Sequence, residues 1–153
     1  WLIYFFCIVG QLEKNKIQRM CKKLMFKQKT MDKINYIHLN LDSITEFISQ
    51  KNRLLPSSIY VKLKDVLNEV LFLVVMESKS DNSKDRIISF LKNYKKESLY
   101  ISGKDLIKLS IKPGPIYSHI LNRLLYAQLD GEVKNKEDEI RFVKNYLEER
   151  DKR

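Results

Sequence analysis

The chain has 153 residues, 44% of them hydrophobic, with only four glycines and three prolines. That is enough apolar material for one core or two small ones, and too little Gly and Pro for an all-β fold with its many turns, so long helices are expected. A formal net charge of +10 disfavours cationic partners and points to an anionic one, nucleic acid ahead of a membrane surface, while saying nothing about fold.

Leu2–Val9 reads as a helix buried on most sides and ended near Gly10. The apolar run from Trp1 to Gly10 is too short to span a bilayer. It lacks the basic lead and small-residue cleavage site of a secretory signal. With no initiator Met, the expectation is a fragment that begins inside a core helix of something longer. Leu12–Phe26 follows, with Leu12, Ile17, Met20, Leu24 and Met25 inward and Lys14, Lys16, Arg19, Lys22 and Lys23 outward. Cys7 and Cys21 are the only cysteines, far in sequence from His38 and His119, so zinc spacing is absent. Two reduced, buried thiols in a cytoplasmic protein are expected.

Ile34, Ile37, Leu41, Ile44 and Ile48 step by three and four residues and predict a third helix. Leu54-Leu55-Pro56-Ser57-Ser58 then breaks the pattern; Pro56 suits a first helical turn, and the serines can cap free N–H groups. Val66–Met76 is almost wholly apolar and should form the centre of a bundle. Asp81 or Ser83 caps a helix through Tyr94, with Ile87, Ile88, Leu91 and Tyr94 inward. Gly103 precedes a short helix over Lys104–Leu109, and Ser110–Gly114 is a tight connection. Pro115 starts a longer helix that Gly131 stops in the left-handed conformation. Asn135 and Asp138 resemble a capping box, and Glu137, Asp138 and Glu139 complement the positive end of a last helix carrying Ile140, Val143 and Leu147 inward. No period-2 strand stands out. The fold class is all-α: a helical bundle body over residues 1–98, then a helical tail over 99–153 with a turn like that of a helix-hairpin-helix.

The charge is uneven. Residues 1–55 carry ten basic against four acidic side chains, with one concentration between Lys14 and Lys33. In the tail, Lys104, Lys108, Lys112 and Arg123 face only Asp105 up to residue 123. Any single lysine here is a solvated surface group; the cluster around the turn is a candidate for phosphates. Catalytic constellations are missing. There is no Gly-x-Gly-x-x-Gly or Walker pattern and no paired carboxylates on a strand for magnesium. Ser57, Ser102 and Ser118 lack a glycine elbow. His119 either packs or faces solvent or RNA.

From Ser102 to Leu147 the residues Gly103, Asp105, Leu106, Ile111, Pro113, Gly114, Pro115, Ile120, Leu121, Ala127, Leu129, Asp130 and Gly131 occur in an order and spacing that resembles the C-terminal tail of bacterial class II tRNA nucleotidyltransferases. These are the CCA-adding and A-adding enzymes and their poly(A) polymerase relatives. "LLPSSIYVKLKDVLNEVLFLVVM" looks like the family's body segment. Two departures stand out: Ser110 and Ser118 replace frequent glycines, and Ser110 is strained by about 1 kcal/mol if its φ is positive.

The resemblance implies that the catalytic head, with its Mg ions and ATP or CTP, lies outside this chain, which would itself be non-catalytic and hold no cofactor. It implies tRNA as the partner, gripped at acceptor stem and elbow through backbone and shape, with Gly103, Lys104, Asp105, Lys108, Lys112, Pro113, Gly114, Pro115, His119 and Arg123 as RNA-binding candidates. The competing reading is a helix-hairpin-helix module for DNA or protein.

Overall fold

A computed structural model describes residues 1–10 and 12–151, the last two of these by backbone alone. Among them are nine α-helices and no strand: α1 Leu2–Val9, α2 Lys14–Lys23, α3 Gln28–Ile48, α4 Pro56–Leu63, α5 Asn68–Glu77, α6 Asp81–Lys92, α7 Gly103–Lys108, α8 Ile116–Leu129 and α9 Lys136–Asp151. The all-α class is as expected. The chain forms two compact units, one of Trp1–Arg53 with Lys62–Ser89 and the other of Leu54–Val61 with Phe90–Arg153.

In the first unit α3 supplies the longest apolar stripe. Ile34, Ile37, Ile44 and Ile48 are all buried, at the steps its sequence dictates. α5 packs against both α3 and α1. Its Val70, Leu71, Leu73 and Val74 are buried, but Phe72 and Met76 remain exposed, so it is enclosed on one side rather than all round. Val66 and Leu67 fall in the turn before it.

Three expectations for this unit need correction. α1 buries only Leu2, Phe6 and Val9, leaving Tyr4, Ile8 and Cys7 exposed, because it packs as a surface helix with a single inward face. Gly10 ends α1 in the right-handed region at φ −59, and a Cβ there would lie 2.6 Å from the Phe6 carbonyl oxygen; its value is space. α2 buries Ile17 and Cys21, whose thiol pKa is pushed up by burial, while Leu12, Leu24 and Met25 point out. The helix stops because Met25 adopts φ 53, with its N–H on Lys22 O and the Phe26 N–H on Cys21 O. This is a Schellman turn with Met where Gly is usual.

In α6 the inward stripe runs through Ser83, Arg86, Ile87 and Phe90, and Ile88 is exposed. Arg86 is only 9% exposed. Its Nη1 donates to the carbonyls of Ile48 at 2.6 Å and Gln50 at 2.7 Å, and its Nη2 to that of Asn52 at 2.7 Å. One planar guanidinium thereby satisfies the last carbonyl of α3 and two carbonyls of the segment that follows it.

The second unit is built on Ile101, Leu106, Ile120, Leu124, Ala127, Val133 and Val143, which form one buried cluster with α8 against α9. Long-range carboxylates tie its backbone. Glu139 is fully buried and accepts the N–H of Tyr100 at 3.0 Å and of Ile101 at 2.7 Å, so it serves a distant segment rather than its own helix start. Asp130 accepts the N–H and hydroxyl of Ser57 at 2.8 and 2.6 Å. The first turn of α4 is therefore capped from 73 residues away, and not by its own serines. Gly131, at φ 82, stops α8 as foreseen. Asn135 caps α9 through the Asp138 N–H at 2.9 Å, while Asp138 reaches back to Lys134 N–H at 3.3 Å.

Arg86→Met removes three charge-assisted hydrogen bonds and strands three carbonyls. It is expected to lower unfolding stability by about 3 kcal/mol in urea titrations. Arg86→Lys should recover only part of this, since an ammonium cannot reproduce the fork.

Candidate nucleic-acid interface

The candidate surface lies wholly within the second unit and is assembled from α7, the connection after it and the start of α8. At the head of α7 the Ser102 N–H and hydroxyl both donate to Asp105 Oδ2 at 2.9 Å. These bonds, the backbone one first, lower the Asp105 pKa, helped by Lys136 and Lys108 at 4.0 and 3.8 Å from Oδ1. The stabilisation from this carboxylate is complete above the ordinary Asp pKa and is lost as pH falls through the lowered value. Asp105 thus shapes the start of α7, and Lys108 lies beside it. Gly103 opens the helix with the Tyr117 ring 3.5 Å from where its Cβ would stand.

α7 ends on Leu109. Ser110 has φ 62; its N–H meets Ile107 O at 2.9 Å and the Ile111 N–H meets Leu106 O at 3.1 Å. The positive φ raised conditionally for Ser110 is therefore present, and a β-carbon sits in a glycine-favouring Schellman position. Ser118 is exposed on α8 and takes no packing position. Tyr117 fixes the connection from the other side, donating its phenol to Ile111 O at 2.7 Å.

Between these anchors Lys112, Pro113, Gly114 and Pro115 are all exposed. A Cβ on Gly114 would meet nothing within 4 Å, so the bare backbone faces open space. Pro115 precedes α8 without a side-chain cap. The Tyr117 N–H returns to Gly114 O at 3.0 Å and the His119 N–H to Pro115 O at 3.4 Å. Among the described residues no hydrogen bond occupies the N–H of Ile116 or Ser118. Amides at a helix start with the helix dipole behind them favour a negative ligand.

Of the candidate cations, Lys104 and Lys112 are exposed, and no ion pair among the described residues engages them. His119 and Arg123 form a separate grouping around Tyr146 of α9. The His119 Nδ1 is 3.0 Å from the Tyr146 hydroxyl, and the Arg123 guanidinium carbon lies 5.0 Å from the Tyr146 ring centroid. Sequence reasoning missed Tyr117, Lys136 and Tyr146, and gave Glu139 to its own helix start instead of the Tyr100 and Ile101 amides. Tyr146 alone had a signal, three residues after Val143 on the inward stripe. No group of three His, Cys, Asp or Glu among the described residues could hold a metal ion, and none of their helices is long and apolar enough to cross a membrane.

The family model described as tRNA nucleotidyltransferase domain 2 matches residues 1–143. The A-adding tRNA nucleotidyltransferase of Geobacter sulfurreducens is 26% identical over 147 residues, which is 94% of this chain and 17% of that protein. The A-adding tRNA nucleotidyltransferase of Halalkalibacterium halodurans is 24% identical over 108 residues, 71% of this chain and 25% of that protein. No solved structure matches the chain.

Ser110→Gly relieves the left-handed strain and is expected to raise stability by up to about 1 kcal/mol, part of the gain being offset by the freer unfolded chain. Thermal unfolding checks it: an unchanged or lower midpoint would show that the strain relieved does not exceed the entropy that Gly adds to the unfolded chain.

Proposed function

Because the chain belongs to the tRNA nucleotidyltransferase domain 2 family, we propose that it is a tRNA-binding region of a tRNA 3′-end nucleotidyltransferase. In this reading residues 1–98 act as the body that positions the acceptor stem, and residues 99–153 as the tail that anchors the elbow. The observation that carries it is the exposed Lys112–Pro115 corner, with uncapped amides behind it and Lys104 and Lys112 unpaired among the described residues. Phosphates suit such a surface, and contacts to backbone and shape let one protein accept every tRNA, since duplex RNA hides its base edges in a deep, narrow groove.

The chain spans 17% and 25% of the curated relatives it matches. Nucleotidyl transfer, with Mg and ATP or CTP, belongs in this proposal to the remainder of a longer protein. The described residues offer no metal cluster, and no chemical step is assigned to them. A cytoplasmic location follows from the same reading.

Gel-shift titrations test it. tRNA lacking its 3′ end should bind more tightly than duplex DNA of equal charge. Equal binding would favour a helix-hairpin-helix DNA module instead. Lys104→Glu combined with Lys112→Glu is expected to weaken tRNA binding and to reduce the slope of log affinity against log salt by about 1 to 2. An unaltered affinity in this double variant would take the corner out of the interface.

A further inference from the structure

The Tyr146 grouping shares no residue with the corner, and an α8–α9 clamp would not need its polar edges. His119 and Arg123 are four residues apart and so lie on one face of α8. Both are exposed. Tyr146 packs against the apolar core of the second unit, which holds its ring in place. The phenol then engages His119 Nδ1 at 3.0 Å, and the ring lies beneath the Arg123 guanidinium at 5.0 Å. The phenol engages Nδ1, which leaves Nε2 as the His119 ring nitrogen with no protein partner among the described residues.

Stacking uses one π face of a guanidinium and leaves its N–H edge free. No carboxylate among the described residues pairs with that edge. The usual ways of neutralising an Arg, burial against an acid or bidentate pairing on the surface, are both absent there. What remains is a planar fork and the imidazole Nε2, both held beside Tyr146 before any ligand arrives. Pre-orientation reduces the side-chain entropy lost on binding.

We infer that Arg123 and His119, held by Tyr146, form a second phosphate-binding site for the RNA backbone, separate from the Lys112–Pro115 corner. Its ligand is a phosphodiester oxygen pair taken by the Arg123 fork, with His119 Nε2 on a neighbouring oxygen. Tyr146 is the positioning residue and need not touch RNA. The inference rests on the tRNA-binding reading above and adds to it a set of contacts that the corner does not provide.

The test uses the 153-residue chain and tRNA trimmed of its 3′ end, titrated at several salt concentrations. Arg123→Gln is expected to weaken binding on the order of tenfold and to reduce the salt slope by about 1. Arg123→Lys should keep the slope yet bind more weakly than wild type, because charge survives while the fork is lost. Tyr146→Leu should weaken binding although no charge is removed. Thermal unfolding identifies any variant that fails to fold. A second measurement needs only the wild-type chain: its two histidines give separable imidazole signals, and added tRNA should shift that of His119 more than that of His38.

If folded Arg123→Gln binds like wild type, or the His119 signal is unmoved by saturating tRNA, the grouping only clamps α8 to α9 and the inference fails. Should the Lys104→Glu and Lys112→Glu double variant still weaken binding in that case, the tRNA-binding reading survives alone. Absence of any tRNA binding by the wild-type chain overturns both.

Discussion

A protein made of short helices has many helix ends, and each end leaves backbone groups without an intrahelical partner. How those groups are satisfied decides this structure. Side chains distant in sequence do much of the work. Arg86 takes the last carbonyl of α3 and two just beyond it, Asp130 takes the Ser57 amide at the start of α4, and Glu139 takes the amides that lead into α7. Each of these side chains fixes two stretches of chain that share no local contact. A buried polar group left alone costs on the order of 1 to 3 kcal/mol, so these pairings hold the apolar layers in one arrangement.

The same accounting locates the candidate interface. Everything leading to the Lys112–Pro115 corner is satisfied and stiff: Glu139 on Tyr100 and Ile101, Asp105 on Ser102, the Ser110 turn, and the Tyr117 phenol on Ile111. At the start of α8 the pattern lapses, since Pro115 brings no side-chain cap and, among the described residues, the N–H groups of Ile116 and Ser118 take no hydrogen bond. A rigid frame around unsatisfied donors is what a phosphate-binding surface requires, because the ligand then completes a network instead of ordering one.

Positive charge alone would not single out that surface. Among the lysines expected to matter, Lys108 lies near Asp105, and in the basic stretch around α2 Lys33 is bound to Glu69 at 2.8 Å, a contact that lowers the Glu69 pKa. α2 keeps an exposed basic face of Lys14, Lys16, Arg19, Lys22 and Lys23. With salt screening such charges over roughly 10 Å, long-range attraction draws on all of them, whereas position is set by the few groups with fixed geometry.

Apolar periodicity and turn chemistry were local enough to be legible. The isoleucine ladder of α3, Pro56 at a helix start, the Gly131 stop and the all-α class all follow from spacings within a few turns. Tertiary structure decided the rest. Met25 stops α2 at φ 53 against its own preference, Ile88 yields the inner face of α6 to Arg86 and Phe90, and Glu139 leaves the acidic start of α9 for amides 38 and 39 residues away. The physical reason is plainest at Arg86 and Glu139. Local propensity is worth tenths of a kcal/mol to about 1 kcal/mol per residue, while the satisfaction of a buried donor or acceptor is worth more and depends on a partner that only the folded chain brings within reach.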